Sequence, residues 1–530
     1  MKKKIDYTCI KSTGRLCVLG RRIVMRIAFA SLGCKTNQYE SDALAEWFRR
    51  NGFSVVDDRE SADVFVLNTC TVTAEAERKA RQLFRRYRKH NEHALLVACG
   101  CYAQRSDLSG IADITVGTVG RARIPALILD ALIERGLIES THRAAGALYS
   151  GFLDDMDGHD SEVSASNIPL GYSSETHSAG KDDARRSPKW DEQENCILYE
   201  ELPAPAIPNE TRAFLKVQDG CDNRCAYCAI SLARGPSRSR KLPIILEEAQ
   251  ELVAHGFSEF VLTGTNLNLY GLDFHRCIGA GKVYDTSPSS LSKISVPEFA
   301  WDLADVMIAL DRIDGVRRLR LGSLESGLIT ETFIEKIRDV ESLCPSFHLS
   351  LQSGSDRVLK AMRRRDTRDS YREAVALIRS AFPGAGITTD LIAGFPGETQ
   401  DDFEETLAFC DEIGFLRIHV FRFSPRPGTL ADKMPHQVPA SIAAERSEIL
   451  RMKAAELAET AIRERMGQTR AVLIEKYDAY GRAEGYTPEY VFVKGYRLPD
   501  ACGKEMPARG SIVPMKITGI EGQTAIAEIV

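Results

Sequence analysis

Phe214-Leu-Lys-Val-Gln-Asp-Gly-Cys221-Asp-Asn-Arg-Cys225-Ala-Tyr-Cys228 is a short apolar run that empties into a loop carrying three thiols. The run reads as a β-strand, so the loop belongs at a strand's C-terminal end, where a βα-barrel gathers its chemistry. Three cysteines this close can hold three irons of a cubane cluster and leave the fourth iron open to a small chelating ligand. S-adenosylmethionine (SAM) offers such a chelate through its amino and carboxylate groups, and an electron from the cluster can then cleave its carbon–sulfur bond. A structural zinc site is the blander reading. It usually needs four ligands in separated pairs, and no companion Cys-x-x-Cys or His pair follows.

Outward from this loop, six apolar runs recur, each followed by a helical stretch: Phe214–Gln218, Phe260–Thr263, Arg318–Gly322, Phe347–Leu351, Ile387–Ala393 and Arg417–Phe423. Repeated βα units predict an open or partial (βα)6 barrel. Its strand ends supply Gly264 and Asn266, Ser323 and Glu325, Gln352 and Ser353, with Asp390 inside the fifth strand. Glycine permits close backbone approach to a ligand, while Glu and Gln serve amino and ribose groups. Each of these alone is as well explained by a turn or a cap, and only their shared placement makes them candidates. His348 and His419, in apolar strands, read as structural.

Toward the N-terminus, residues 25–140 alternate strand-like and helical runs, implying a small parallel α/β sheet. Cys34, Cys70 and Cys101 each follow a strand-like run: Ala28-Phe-Ala-Ser-Leu-Gly-Cys34, Val64-Phe-Val-Leu-Asn-Thr-Cys70 and Leu95-Leu-Val-Ala-Cys-Gly-Cys101. In a parallel sheet those ends share one edge, so the thiols can converge on one ligand. Three buried structural cysteines is the competing reading on spacing alone. Cys99, two residues before Cys101, is a rival for the third position, and Gly33 and Gly100 would let the backbone fold around a bulky group. Toward the C-terminus, a helical stretch at 441–465 leads into residues 466–530, whose short glycine-punctuated β runs read as a small barrel.

The fold class is therefore α/β with several domains, as 530 residues require. Residues 1–24 form a basic extension without a signal sequence's apolar core, and Met25 is a candidate start. Residues 141–205 form an acidic low-complexity linker, residues 206–440 hold the barrel, and a polar insert at Cys277–Val296 interrupts it. No run approaches the roughly 20 apolar residues of a membrane-spanning helix, so no membrane association is expected. Fourteen cysteines without a compact disulfide spacing point to a reducing, cytoplasmic setting with thiols kept for metals. The net charge of −5 argues only weakly against nucleic-acid binding, since the linker holds much of the surplus acid.

The cysteine loop, with Tyr227 before its last thiol, resembles the radical SAM superfamily, in which that aromatic lies near the SAM adenine. Ser31-Leu-Gly-Cys-Lys-Thr-Asn-Gln-Tyr-Glu-Ser41, Asn68-Thr-Cys-Thr-Val-Thr73 and Gly100-Cys-Tyr-Ala-Gln104 resemble the N-terminal domain of the methylthiotransferases. Leu262-Thr-Gly-Thr-Asn266 and Ala233-Arg-Gly-Pro-Ser-Arg-Ser-Arg240 match that family's radical SAM domain, and the tail is similar to a TRAM domain. The likeness runs over nearly all of the chain from Met25. It implies two 4Fe-4S clusters, one on Cys221, Cys225 and Cys228 and one on Cys34, Cys70 and Cys101, in preference to Cys99. The family commonly has a proline between Cys228 and Arg234, where this chain reads Ala-Ile-Ser-Leu-Ala.

Within the family, these N-terminal motifs resemble the branch acting on threonylcarbamoyladenosine beside the tRNA anticodon. The isopentenyladenosine and ribosomal-protein branches remain alternatives, as does a non-catalytic iron–sulfur RNA-binding regulator. The resemblance also implies a sulfur donor and an electron donor such as flavodoxin or ferredoxin. Candidate RNA contacts are Lys476, Arg482, Tyr486, Tyr490 and Lys494 in the tail and the basic run Arg78 to Lys89, although solvated surfaces explain each of them singly.

Overall fold

Alternating apolar runs of five or six residues and amphipathic helices condense into the expected parallel sheet. The computed structural model describes residues 24–138, 199–205, 210–274, 301–496 and 506–530. The extension up to residue 23, most of the acidic linker and the insert Cys277–Val296 lie outside the described residues. The first sheet has the order β2-β1-β3-β4-β5, all parallel, from β1 (Arg26–Ser31), β2 (Ser54–Val56), β3 (Val64–Thr69), β4 (Leu95–Gly100) and β5 (Ile114–Val116). The two short edge strands have no clear sequence signal, being only three residues each. Central β3 and β4 are buried at every position, as parallel strands covered on both faces must be. Helix α1 (Lys35–Arg50) covers one face with Leu44, Trp47 and Phe48, and α2 (Ala74–His90) covers the other with Phe84 and Tyr87.

The six βα units close into a partial barrel. Strands β6 (Ala213–Lys216), β9 (Glu259–Thr263) and β10 (Arg318–Leu321) pair in parallel, and so do β11 (Ser323–Leu324), β12 (Ser346–Leu349), β13 (Gly386–Ala393) and β14 (Arg417–Arg422). A two-residue ribbon, β7 (Gln218–Asp219) with β8 (Arg238–Ser239), flanks the cysteine loop. Segments β10 and β11 are one strand bent at Gly322: its first half pairs with β9 and its second with β12. The bend turns a flat sheet into a curved wall, and Leu215, Phe260, Leu319, Phe347 and Ile387 fill the layer beneath the helices.

A 24-residue helix, Ala440–Arg463, leads to the tail. There β15 (Thr469–Tyr477), β16 (Ala483–Tyr486), β17 (Phe492–Tyr496), β18 (Ile512–Glu521) and β19 (Thr524–Ile529) form a closed barrel of order β15-β16-β17-β19-β18. No helix among the described residues is long and apolar enough to cross a membrane.

Candidate active site

The cysteine loop is fixed by its backbone at several points. Cys221 N donates to Gly235 O at 3.0 Å, Ala226 N to Met362 O at 2.8 Å, and Ala431 N to Ala226 O at 2.8 Å. Side chains from neighbouring strand ends finish the clamp: Asn223 donates to both Glu325 oxygens at 2.9 and 3.0 Å, and Arg364 donates to Glu325 at 2.7 Å. Asn266 Nδ2 lies 3.7 Å from Cys221 Sγ. Tyr227 packs with Ile392, Phe395 and Phe423, which seats the loop over the barrel mouth. Burial pushes the Cys221 and Cys228 thiols up to about 12, so a bound metal must displace their protons.

The strand-end candidates divide. Glu325, Asn266 and Tyr227 gather at the loop, and Ser323 is exposed beside Glu325 on the same edge. Gln352 occupies the left-handed region at φ 76°, a strained setting for a non-glycine residue, and its backbone bridges Asp390 O and Ile392 N. Asp390 faces His348, 3.2 Å away, and the His348 ring is 5.8 Å from His419. Both histidines, expected to be structural, thus belong to a polar group around Asp390. The remaining two sit deeper. Ser353 is 1% exposed, with its hydroxyl against Thr406 and accepting from Ser355 N. Gly264 packs on Gln218 and Leu267, so its missing side chain serves packing under the loop.

The second thiol set also comes together. Cys34 caps the start of α1, Cys70 follows β3, and Cys101 opens a short helix, Cys101–Arg105, so all three sit at one edge of adjacent strands β1, β3 and β4. Gly33, at φ 108°, is held so close to Cys70 that a Cβ there would lie 2.8 Å from both its Cβ and its Sγ. Burial, then the neighbouring Cys101 and Cys34, pushes the Cys70 thiol up to about 12. Cys99 instead lies in the apolar core with Ile27, Val66 and Val97, on the sheet face away from Leu96 and Ala98. Alternation alone would put Cys101 on that same face, but β4 ends at Gly100, φ 90°, and the helix that begins at Cys101 carries its thiol out of the sheet.

What the sequence did not disclose is the contact between the two sets. A fully buried charge network joins the sheet to the barrel. Glu40 pairs with Arg121, with Lys216 at 2.8 Å and with Arg234 at 2.9 Å, and Asp219 meets Lys216 at 2.8 Å, Arg234 at 2.6 Å and Arg121 at 2.9 Å. The cations beside Glu40 hold its carboxyl well below the usual range despite complete burial. Helix Ile230–Arg234, reached directly from Cys228, packs on helix Cys101–Arg105. Its first turn is formed without the family's proline, which that position tolerates but does not need. Farther out, Arg426 pairs with Glu77 and Arg105 donates to Pro427 O, tying the loop after β14 to the sheet domain.

Residues 215–410 match the Radical SAM superfamily and residues 26–116 match Uncharacterized protein family UPF0004. The chain is 32% identical to the threonylcarbamoyladenosine tRNA methylthiotransferase MtaB of Thermotoga maritima, over 88% of this chain and 90% of that one. It is equally 32% identical to the Bacillus subtilis protein of the same name, over 90% and 92%. The chain belongs to the radical SAM methylthiotransferase family. Membership brings SAM and one 4Fe-4S cluster with it. A second branch is also similar: the tRNA-2-methylthio-N(6)-dimethylallyladenosine synthase of Alkaliphilus oremlandii is 28% identical over 84% of this chain and 80% of that one. Among solved structures, the Kitasatospora setae radical S-adenosylmethionine methyltransferase TsrM aligns at TM-score 0.44 and 14% identity, over 76% of this chain and 75% of that chain.

The residues fit these groups. All six thiols are free, and among the described residues no three Cys, His, Asp or Glu side chains are gathered as a single metal ion would need. Three free thiols in one loop are the donor set that a 4Fe-4S cluster with one open iron takes.

The tail's candidate RNA contacts already have partners within the protein. Tyr486 and Tyr490 stack on each other 4.6 Å apart, and Arg212 and Arg320 of the barrel lie over their rings. They hold the tail to the barrel. Lys476 and Lys494 pair with Glu484, and Arg482 with Asp478.

Proposed function

We propose that this methylthiotransferase installs a methylthio group at C2 of N6-threonylcarbamoyladenosine at position 37 of tRNA, beside the anticodon. The single observation that carries the reading is the meeting of two cysteine triads across one buried interface, in a chain whose 32%-identical relatives bear that activity in their names. Cys221, Cys225 and Cys228 would hold the SAM-binding cluster, and Cys34, Cys70 and Cys101 a second 4Fe-4S cluster that carries the sulfur. SAM bound at the first cluster would supply the radical chemistry needed at an aromatic C–H bond, which ordinary acid–base side chains cannot activate.

The protein's part is placement. Glu325 and Arg364 keep Asn223 and the loop immobile, while Tyr227, Asn266, Ser323, Gln352 and Asp390 bound the space where SAM's amino, carboxylate and ribose groups would lie. Asp390 keeps its acceptor oxygens oriented through His348, which also contacts Thr388 Oγ1 at 2.9 Å. The α2 face offers Lys79, Arg85 and Lys89, exposed and making no ion pair with the described residues, to tRNA phosphates. A reducing cytoplasm, an external sulfur source and a flavodoxin or ferredoxin complete the proposal.

The anaerobically reconstituted protein, given SAM, dithionite and tRNA bearing either threonylcarbamoyl- or isopentenyladenosine, should yield a methylthio nucleoside only from the first, by mass spectrometry. Product from isopentenyladenosine alone would move the chain to the other tRNA branch. SAM cleavage without either product would return the ribosomal-protein side chain as substrate, and no SAM cleavage at all would favour the RNA-binding regulator.

A further inference from the structure

The buried network at the interface is dense in charge. Ion pairs link four cations, Arg121, Lys216, Arg234 and Arg238, to three carboxylates, Glu40, Glu200 and Asp219. The four cations are at most 3% exposed. Beside them Arg240 pairs with Glu201 and Glu248, and Lys216 and Arg240 share the Tyr199 ring, so among the described residues the buried cations and carboxylates balance.

One cation of the network, Arg234, faces the N-terminal thiols. Arg234 shares Asn37 Oδ1 with Cys34: its Nη2 donates to that oxygen at 2.6 Å, and Cys34 Sγ lies 3.7 Å from it. The Arg234 charge also acts on Cys101, offsetting part of the rise that burial causes in that thiol. Asn37 is fixed by donating to Leu32 O at 2.9 Å and Thr69 O at 3.1 Å, so the geometry does not depend on a mobile side chain. On the barrel side, the network ends at Asp219, which accepts from Gly220 N at 2.8 Å, one residue before Cys221. The guanidinium thus reaches the N-terminal thiols through one neutral amide but reaches the barrel triad only through a carboxylate.

We propose that Arg234 is a positioning residue for the N-terminal cluster, its charge being the built-in counter-charge to the anionic iron–thiolate group on Cys34, Cys70 and Cys101. This rests on the second cluster proposed above. Three thiolates around a cubane core leave a net negative group, and reduction adds one more negative charge. A neighbouring cation therefore favours the reduced state, and its loss disfavours it. The carboxylate of Glu40, held between Arg121, Lys216 and Arg234, trims the same field. Removing Arg234 and removing Glu40 must act in opposite directions.

The test uses the full chain with Cys221→Ala, Cys225→Ala and Cys228→Ala, so that only the N-terminal cluster remains, reconstituted and titrated with dithionite under electron paramagnetic resonance. Adding Arg234→Gln should lower the ratio of reduced to oxidised cluster at the parent midpoint by about tenfold or more, and adding Glu40→Gln should raise it. Arg234→Lys, which keeps the charge but loses the planar contacts, should stay near the parent. A purely structural role would instead lower iron content in all three without an ordered shift of midpoint. Unchanged midpoints in folded Arg234→Gln and Glu40→Gln, or shifts of the same sign, overturn the proposal. If Arg234→Gln does not fold, the direction in Glu40→Gln decides alone. A parent that binds no iron removes the second cluster and this inference with it, whereas a loaded parent with unshifted variants removes the inference only.

Discussion

The two cysteine triads reach similar ends by opposite routes. Cys221, Cys225 and Cys228 lie within eight residues of one loop, and the barrel supplies clamps such as Glu325 and Arg364 from other strand ends. Cys34, Cys70 and Cys101 come from three strands whose only connection is the sheet. The first triad is assembled by local sequence and needs tertiary structure to hold it still. The second does not exist until β1, β3 and β4 pair. A local site tolerates distant damage, whereas a site made by register is lost with the register.

The largest contrast is expected from the thiols themselves. Cys225→Ala should reduce SAM cleavage to background, while Cys34→Ala should keep SAM cleavage within about threefold of wild type and lose methylthio product. Loss of cleavage in Cys34→Ala would show that the two triads act as one unit, against the comparison drawn here.

One glycine beside each triad sharpens it further. Gly33→Ala would push a Cβ onto Cys70, and Gly220→Ala, at φ 74°, would place one 1.9 Å from Pro236 O. Each should cost about 2–3 kcal/mol in thermal or denaturant unfolding. Each should also lower iron binding at its own triad more than at the other. Equal loss at both would mean that the interface couples them.

A smaller effect is expected at the clamp. Glu325→Gln keeps the size but loses the charge that faces Arg364, and SAM cleavage should fall about tenfold with the iron content retained. Smallest is the surface: changing Lys79, Arg85 and Lys89 to Gln should weaken tRNA binding mildly and flatten its dependence on salt, leaving SAM cleavage untouched. A salt dependence identical to wild type would move the RNA surface elsewhere.

The barrel and its loop were legible because strand period, loop position and thiol spacing are all local. The run Phe214–Gln218 even carried a warning, since Lys216 interrupts an apolar strand and is 1% exposed. Its partner Glu40 stands 176 residues away, so sequence alone offered no way to pair them. The tail shows the reverse failure. Tyr486 and Tyr490 look like RNA-stacking residues, and only the packed structure turns their rings under Arg212 and Arg320. For Cys99 and Cys101, the sequence fitted either one, and the turn at Gly100 that ends β4 and opens the next helix separated them.

By itself, the sequence determined the order of folded regions, the six thiols and the family. Those depend on periodicity and on motifs a few residues long. Tertiary structure alone decided that the N-terminal triad meets the barrel's helix Ile230–Arg234 through Glu40, Asp219 and their cations. A buried ion network is worth its desolvation only when every partner arrives together, and no single segment carries that information.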